Sequence, residues 1–244
     1  MKELRNTIEA FASFIVVLVL LFALFPCVKA QGGSVILNPT NDTYASSDDD
    51  AGSSHGTETW LKVAFTEMSP GVIYKYLTFL KFDLSSVPQG ARGFTATLEL
   101  YTRSDGVPAE DTYPAYLCLN NSWSEETLNM GHLPSLGDLY LDSETVSTEQ
   151  TWHAWIVTAA IENATSRNAS AVTIMVGRPF GRANEGAVWA FFNSKEAGKY
   201  IPKLTIEWTE VPEIPTFLIM PFFMIVTLLA VIFSKRKQCK QYPA

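Results

Sequence analysis

Aromatic side chains are the most chemically informative residues of this sequence. A flat ring can pack against the apolar face of a pyranose, while neighbouring polar groups fix the sugar hydroxyls. The candidate ligand-binding rings are those of Tyr44, Trp60, Tyr101 and Trp123. Trp60 and Tyr101 fall on predicted solvent-facing strand positions and rank first, because most aromatic residues of a domain this size belong to its core.

Lysines accompany these rings at alternating positions. Lys62, Lys75 and Lys81 share a period-2 spacing within adjoining predicted strands and could form a basic stripe for an acidic glycan. A solvated strand face is the plainer interpretation of the same spacing. The ligand-binding candidates from the sequence therefore include Lys62 and Lys75 beside the four rings.

Three consecutive carboxylates lie in the polar stretch 46–56. Asp48, Asp49 and Asp50 could supply oxygen ligands to Ca²⁺, which takes about six to eight of them and tolerates loop geometry. The spacing does not match an EF-hand, and a solvated acidic loop explains the same residues. No cofactor is certain from the sequence, and Ca²⁺ is the candidate.

Catalytic motifs are missing from the sequence. Its histidines are His55, His132 and His153, and it has no Gly-x-Ser-x-Gly, His-Glu-x-x-His or phosphate-binding loop. Glu125 and Glu126 are adjacent, so on a strand they would point to opposite faces and could not flank one glycosidic bond. These observations predict a protein without catalytic activity.

The charge balance limits the partners. Residues 31–210 carry 22 Asp and Glu against 11 Lys and Arg, a net charge of −11, compared with −7 for the whole chain. Such a surface repels nucleic acid and other polyanions unless cations bridge them, so we expect no nucleic-acid partner. Cys118 is the one cysteine of this part, which leaves no internal disulfide, and its apolar neighbours predict a buried thiol.

Period-2 alternation dominates residues 31–210. Between Phe94 and Tyr101, Phe94, Ala96, Leu98 and Leu100 alternate with polar residues, as in an antiparallel strand with one solvated face. Strands are predicted at residues 35–37, 59–65, 74–82, 94–101, 115–119, 172–176, 188–192 and 203–208. This number of short strands predicts an all-β fold, a jelly-roll β-sandwich. Helical spacing between Trp155 and Ala164 predicts one short helix at an end of the sandwich, and residues 46–56 are predicted as a surface loop.

Both ends of the sequence are apolar. A basic start, an apolar run and a small-residue site ending at Ala30 predict a secretory signal peptide over residues 1–30. The uncharged run 217–233, at about 1.5 Å per residue, nearly spans a hydrocarbon core of about 30 Å. Lys235, Arg236 and Lys237 follow it, which predicts a cytoplasmic tail over 234–244 and an extracellular domain over 31–210. A Pro-rich linker, 211–216, joins that domain to the predicted transmembrane helix.

Glycosylation sequons support the extracellular assignment. They begin at Asn41, Asn120, Asn163 and Asn168. Acceptor asparagines of secreted proteins lie at the surface, so we expect an exposed turn at each of the four positions.

Short motifs occur in a recognisable order. They are Asn41-Asp-Thr-Tyr44, His55-Gly56, Leu77-Thr-Phe-Leu-Lys-Phe-Asp-Leu84, Trp123-Ser-Glu125, Asn193-Ser-Lys-Glu196 and Ile201-Pro-Lys-Leu204. Together they resemble the DNRLRE domain, which is related to the disaggregatase repeat and to a family of carbohydrate-binding modules, over residues 35–208. The resemblance implies a secreted or surface β-sandwich, and some members of this group bind acidic polysaccharide such as alginate. Lys195 replaces the usual Arg, and the Asp usually found before Val157-Thr158 is missing.

The anchor has a family resemblance of its own. Residues 211–216, the apolar run and the basic tail are similar to the PEF-type C-terminal segments of archaeal surface proteins. Ile214 stands where Phe is usual, so a permanent helix and removal by a sortase both stay open.

These observations predict a cell-surface carbohydrate-binding or adhesion module, tethered to the membrane and without catalysis. Its expected partner is a cell-surface or extracellular polysaccharide. A structural or protein-interaction domain of the cell envelope is the first alternative, and a polysaccharide-processing enzyme is the second.

Overall fold

Strands make up most of the computed structural model. It describes residues 32–209 except 49, 104–106, 108, 179–183 and 186–188. The helix α1 is Thr158–Ser166, and a 3₁₀ turn is formed by Lys195–Ala197. The strands are β1 (Gly32–Leu37), β2 (Asn41–Ser46), β3 (Trp60–Ser69), β4 (Val72–Asp83), β5 (Arg92–Tyr101), β6 (Asp111–Cys118), β7 (Leu136–Val146), β8 (Trp152–Ile156), β9 (Ala171–Val176), β10 (Asn184–Glu185), β11 (Trp189–Asn193) and β12 (Lys203–Thr209).

Two sheets form among the described residues. The smaller sheet has the order β1-β12-β5-β8, and all its neighbours are antiparallel. The larger sheet runs β10-β3-β4-β9-β6-β7, with β2 beside β4 and β11 beside β3. An isolated bridge between Thr102 and Phe192 connects the end of β5 to β11. The two sheets therefore meet along this edge.

One apolar core lies between the sheets. Leu98 and Leu204 of the smaller sheet belong to the same buried cluster as Leu80 and Ile174 of the larger sheet. The alternation predicted for β5 is confirmed, because Phe94, Ala96, Leu98 and Leu100 are buried and the polar residues between them face outward. This arrangement confirms an all-β fold whose sheets pack as in a β-sandwich.

The helix closes one part of this core. Its buried residues Ala160, Ile161 and Ala164 join the cluster between the sheets. The predicted helix is confirmed, but its predicted start was wrong, because Trp155 and Ile156 belong to β8. Pairing with β5 fixes these two residues in a strand, and the chain turns into the helix only after Val157.

Four strands were missed by the sequence prediction, and one of them, β10, has only two residues. Strand β2 has the composition of a turn, yet Asp42, Thr43 and Ser46 are buried in it beside β4. Ser46 was assigned to the surface loop and in fact ends this strand. Strands β7 and β8 were also missed, because β7 pairs through polar residues such as Asp142 and Glu144 and β8 is only a short segment before the helix.

Several predicted segments lie outside the described residues. The signal peptide (1–30), the linker (211–216), the transmembrane helix (217–233) and the cytoplasmic tail (234–244) stay predictions. No helix among the described residues is long and apolar enough to cross a membrane.

The core position Trp155 gives a test of this packing. Its ring is fully buried 6.0 Å from Phe192, and its Nε1 donates a hydrogen bond of 2.8 Å to the carbonyl of Tyr113. We expect Trp155→Ala to lower the free energy of unfolding by about 3–5 kcal/mol, because it leaves a large cavity. Chemical denaturation measures the change.

The neighbouring residue supplies the control. Ile156 is 54% exposed, so Ile156→Ala should change the free energy of unfolding by less than about 0.5 kcal/mol. Equal effects of the two substitutions would contradict the packing described here.

Candidate functional site

Aromatic residues gather on the outer face of the smaller sheet. We call the group of Tyr101, Trp152, Tyr200 and Lys203 the Tyr200 platform. Tyr101 on β5 is the direct cross-strand neighbour of Trp152 on β8, and their ring centroids lie 5.3 Å apart in an edge-on arrangement. Alternation along both strands directs these rings away from the core, so the sheet register builds the platform.

Tyr200 is the outermost ring of this platform. It stacks on Tyr101 with ring centroids 4.5 Å apart and an interplanar angle of 19°, and 49% of its surface is exposed. The Tyr101 hydroxyl donates a 3.4 Å hydrogen bond to the carbonyl of Gln150. Tyr101 therefore supports the stack from below, and Tyr200 presents a flat ring to solvent.

A tight turn places Tyr200 in this position. Its φ of 50° lies in the left-handed region, which is uncommon for a residue with a bulky side chain. Gly198, with φ 74°, ends the 3₁₀ turn just before it, and Asn193 Nδ2 donates a 3.1 Å hydrogen bond to the Lys199 carbonyl. Backbone strain of this kind persists where surrounding contacts fix it and is concentrated at functional sites.

Charged groups border the platform. Lys203 Nζ lies 4.4 Å from the centre of the Trp152 ring and 3.2 Å from a carboxylate oxygen of Glu99, its cross-strand neighbour. Lys199 Nζ lies 5.8 Å from the Tyr200 ring. A flat apolar ring thus has hydrogen-bonding cations and a carboxylate close to it, which is the combination that sugar recognition requires.

A second aromatic group surrounds Trp60. Its ring stacks 5.0 Å from Tyr44 and meets Phe191 edge-on, also at 5.0 Å. Tyr44 is buried, and His55 stacks on it at 4.1 Å. Trp60 itself is partly exposed, as predicted, whereas Tyr44 packs beneath the surface as a supporting residue.

Lys62 belongs to this second group. Its Nζ lies 3.6 Å from the centre of the Tyr76 ring and 5.3 Å from that of Phe191, the residue opposite it on β11. Burial lowers the pKa of Lys62 below its usual value. The ammonium group is therefore already engaged with protein rings.

The other predicted lysines contact different rings. Lys75 Nζ lies 5.2 Å from the Phe65 ring. Lys81 Nζ lies 4.8 Å from the Trp123 ring and donates a 2.6 Å hydrogen bond to the Trp123 carbonyl. Trp123, a predicted ligand-binding residue, is itself buried beside Phe79, with its Nε1 donating to Thr173 at 3.0 Å. Its surroundings make it a core residue.

The carboxylate of Asp48 in the acidic loop has several hydrogen-bond donors around it. Asp48 accepts hydrogen bonds from Ser46, from the Tyr76 hydroxyl at 2.6 Å and from the Asp50 backbone at 3.1 Å. Burial alone would raise the pKa of Asp48, but these donors outweigh it and lower that pKa. Asp50 is exposed and Asp49 lies outside the described residues, so a calcium site of Asp48, Asp49 and Asp50 stays a prediction.

A different group of carboxylates converges around Asp42, which is the buried member of the group. Asp42 from β2, Glu125 and Glu196 each bring one carboxylate oxygen within 4.8 Å of the others. Lys195 Nζ contacts Glu125 at 3.0 Å and also contacts Glu196, while its backbone nitrogen donates to Asp42 Oδ2 at 2.8 Å. We call Asp42, Glu125, Lys195 and Glu196 the acidic cluster.

Electrostatics distinguish the members of the acidic cluster. Burial, reinforced by the nearby carboxylates of Glu196 and Glu125, raises the pKa of Asp42 to about 7. Burial opposes ionisation of Lys195, but its contacts with Glu196 and Glu125 outweigh this and raise the pKa of Lys195. The cluster thus holds concentrated negative charge at a poorly solvated position.

Sequence reasoning did not find this cluster. Glu125 was considered only as a partner of Glu126, but its Oε2 accepts a 3.1 Å hydrogen bond from the Asp42 backbone. Ser124 Oγ accepts a 3.3 Å hydrogen bond from the Glu126 backbone, so this motif forms a turn. The available signal was that Asp42, Glu125 and Glu196 lie in three of the motifs that carry the family resemblance.

The four sequons occupy different environments. Asn120 and Asn168 are exposed, and Asn168 adopts a turn with φ 53°. Asn41 lies half-buried in β2, and Asn163 lies half-buried in α1, where it contacts Arg167. The expectation of exposed turns was therefore wrong for Asn41 and Asn163, because both belong to regular elements.

Comparison with known families gives a clear result. The sequence model of carbohydrate-binding module family 96 matches residues 34–208, most of the chain. The chain belongs to this family. The Tyr200 platform and the Trp60 group both lie within the matched region of this family 96 module, as does the acidic cluster. Membership supports a carbohydrate-binding module and a carbohydrate partner.

Other comparisons add little. A search of curated proteins gave no match. A solved structure, the K1 cleaved adhesin domain of Lys-gingipain from Porphyromonas gingivalis W83, is 9% identical, with 73% of this chain and 99% of that chain covered and a TM-score of 0.28. A score this low supports no conclusion about this chain.

The Tyr76 hydroxyl provides a test of the loop electrostatics. We expect Tyr76→Phe to lower the free energy of unfolding at pH 7 by about 1 kcal/mol, since it removes a hydrogen bond to ionised Asp48. The folded pKa of Asp48 lies below its ordinary value of 3.8, so this contribution is complete above that pH and is lost as the pH falls below it. Denaturation of both proteins at pH 7 and pH 3 should show the difference shrinking.

Tyr74→Phe, on the same strand, is the matched control. It removes a hydroxyl without affecting Asp48 and should leave the pH dependence of stability unchanged. A Tyr76→Phe effect that is equal at both pH values would contradict the role of the Asp48 charge.

Proposed function

We propose that the chain is a non-catalytic, cell-surface module that binds polysaccharide through the Tyr200 platform. The observation that carries this proposal is the solvent-facing ring of Tyr200, 49% exposed and stacked on Tyr101. Family membership supports carbohydrate as the ligand class.

The platform suits a pyranose for physical reasons. The apolar C–H face of a sugar ring can lie against Tyr200, because the stack on Tyr101 holds that ring flat. Lys203, Lys199 and Glu99 supply charged donors and an acceptor at its border for hydroxyl or carboxylate groups of the sugar. The strained backbone at Tyr200 is fixed before binding, so little ordering is needed when the ligand arrives.

The Trp60 group is the weaker binding candidate. Tyr44 covers Trp60 by stacking, and Lys62 is directed at the Tyr76 and Phe191 rings rather than released to solvent. The rings and the ammonium group of this cluster on the larger sheet therefore contact one another rather than solvent. It stabilises β3 against β11 without offering a ring as open as that of Tyr200.

The histidines support a binding role without catalysis. His55 stacks on Tyr44, His132 contacts Asn129 Oδ1 at 3.2 Å, and His153 faces Glu144 at 3.2 Å. None of these partners is a serine, threonine or cysteine that a histidine could activate, and Glu125 is engaged by Lys195 and the Asp42 backbone. Glycoside cleavage needs a pair of carboxyl groups flanking one bond, whereas Glu99 at the platform border is paired with Lys203.

The cellular setting is part of the proposal. The signal peptide at 1–30 and the anchor at 217–233 with its basic tail favour a single-pass protein with residues 31–210 outside the cell membrane. The DNRLRE and PEF resemblances favour an archaeal surface protein, and the strand pattern favours jelly-roll connectivity. Protease protection of the tail in intact cells, with digestion of the domain, would support this orientation.

The binding site is tested with Tyr200→Ala. In the full chain held in mild detergent, we expect at least about tenfold weaker binding to the polysaccharide that the unmodified protein prefers, about 1.4 kcal/mol. The probes are alginate, polygalacturonate, mannan and soluble cellulose derivatives, measured by calorimetry and affinity electrophoresis.

Matched variants make the test specific. Tyr140 is 51% exposed on β7, and Tyr140→Ala should change affinity by less than about twofold, about 0.4 kcal/mol. Trp60→Ala tests the contribution of the second aromatic group and should leave binding largely intact. Loss of binding in Trp60→Ala but not in Tyr200→Ala would move the site to the larger sheet, and an absence of binding to every probe would refute the proposal.

A further inference from the structure

We infer that the acidic cluster is a binding site for a divalent metal ion, with Ca²⁺ the preferred cation. The cluster is distinct from the predicted loop site at Asp48, Asp49 and Asp50. None of its residues belongs to the Tyr200 platform, so the inference does not rest on the proposed function.

Two buried carboxylate oxygens carry the inference. Asp42 Oδ1 and Glu196 Oε2 are shielded from solvent and have no hydrogen-bond donor, although Asp42 as a whole is only 1% exposed. The second oxygen of each carboxylate has a partner, since Asp42 Oδ2 accepts from the Lys195 backbone and Glu196 Oε1 contacts Lys195 Nζ. A buried anionic oxygen without a partner is costly, and a cation satisfies it.

The spacing of the oxygens suits calcium. One oxygen from each of Asp42, Glu125 and Glu196 lies within 4.8 Å of the other two. Ca–O bonds of about 2.3–2.6 Å can reach three oxygens that lie this close together. Carboxylate oxygens are hard ligands, which favours Ca²⁺ over softer transition metals.

The charge balance agrees with a divalent ion. Three carboxylates face one ammonium group, Lys195 Nζ, so two negative charges are left uncompensated when all three are ionised. A divalent cation neutralises this excess. A proton on one carboxyl group could do so only in part, and that alternative is an outcome of the test.

Such an ion would hold three distant segments together. Asp42 lies in β2, Glu125 follows the Trp123 motif, and Glu196 lies in the 3₁₀ turn Lys195–Ala197. This turn leads within a few residues to Tyr200. Binding of the ion should therefore raise the stability of the domain and fix the backbone of the turn.

The first experiment measures thermal unfolding of the full chain in mild detergent. After treatment with EDTA and removal of the chelator, CaCl₂ at about 100 times its dissociation constant should raise Tm by roughly 5–10 °C. Calorimetric titration of the same protein with CaCl₂ should show saturable binding. The absence of both effects at millimolar CaCl₂ would overturn the inference.

Isosteric variants locate the ion. Asp42→Asn and Glu196→Gln should each abolish the calcium-dependent rise in Tm and weaken calcium binding at least about tenfold. Asp50→Asn is the matched control in the acidic loop and should keep both responses. Loss of the response in Asp50→Asn, with retention in Asp42→Asn, would assign the ion to the loop and refute this site.

A lysine variant distinguishes a metal site from a purely structural ion-pair cluster. Lys195→Gln removes the competing ammonium group, so one more carboxylate charge is left uncompensated. A metal site predicts a lower Tm without calcium that CaCl₂ restores, with binding tighter than in the unmodified protein. If Lys195→Gln loses stability that CaCl₂ does not restore, the cluster is held by Lys195 and protons alone.

Discussion

The position of the Tyr200 platform depends on the buried carboxylate of Asp42. It lies in β2 beside β4, and its Oδ2 accepts a 2.8 Å hydrogen bond from the backbone of Lys195. Its own backbone nitrogen donates to Glu125 at 3.1 Å. One polar residue therefore connects the sheet, the turn after Trp123 and the turn that begins at Ser194. A buried charge persists only where such partners exist.

The turn after Ser194 connects the residues bonded to Asp42 with the Tyr200 platform. Ser194 Oγ donates a 2.6 Å hydrogen bond to the Glu58 carbonyl and accepts from the Glu196 backbone. Gly198 and then Tyr200 adopt positive φ, at a cost of about 1–2 kcal/mol for a residue such as Tyr200. The stack on Tyr101 and the hydrogen bond from Asn193 to the Lys199 carbonyl offset this cost. The exposed ring of Tyr200 is thus held in place by a series of contacts that begins at buried residues.

Sequence patterns predicted the parts of the fold that are governed by alternation. Strand β5 is an example, because one of its faces is apolar and the other polar. Strand β2 escaped prediction because its buried Asp42, Thr43 and Ser46 interrupt the apolar alternation of a strand. Asp42 is bonded by the distant Lys195 backbone, whereas Thr43 and Ser46 bond to the nearby Tyr44 and Asp48. The outward position of Tyr101 was predictable for the same reason as β5. The outward position of Tyr200 was not predictable, since this residue follows a strained turn that has no periodic sequence pattern.

The acidic cluster was unpredictable as a unit, although its parts were visible as motifs. Gly56 shows what brings the motifs together. A Cβ atom on Gly56 would lie 2.6 Å from the Glu125 carbonyl oxygen, closer than real Cβ contacts allow. Only glycine lets the loop that carries His55 approach the turn after Trp123, where Glu125 meets Asp42 and Lys195. The pairing of His55-Gly56 with Trp123-Ser-Glu125 thus depends on close packing of Gly56 against Glu125, beside the buried carboxylate of Asp42, and neither motif alone indicates it.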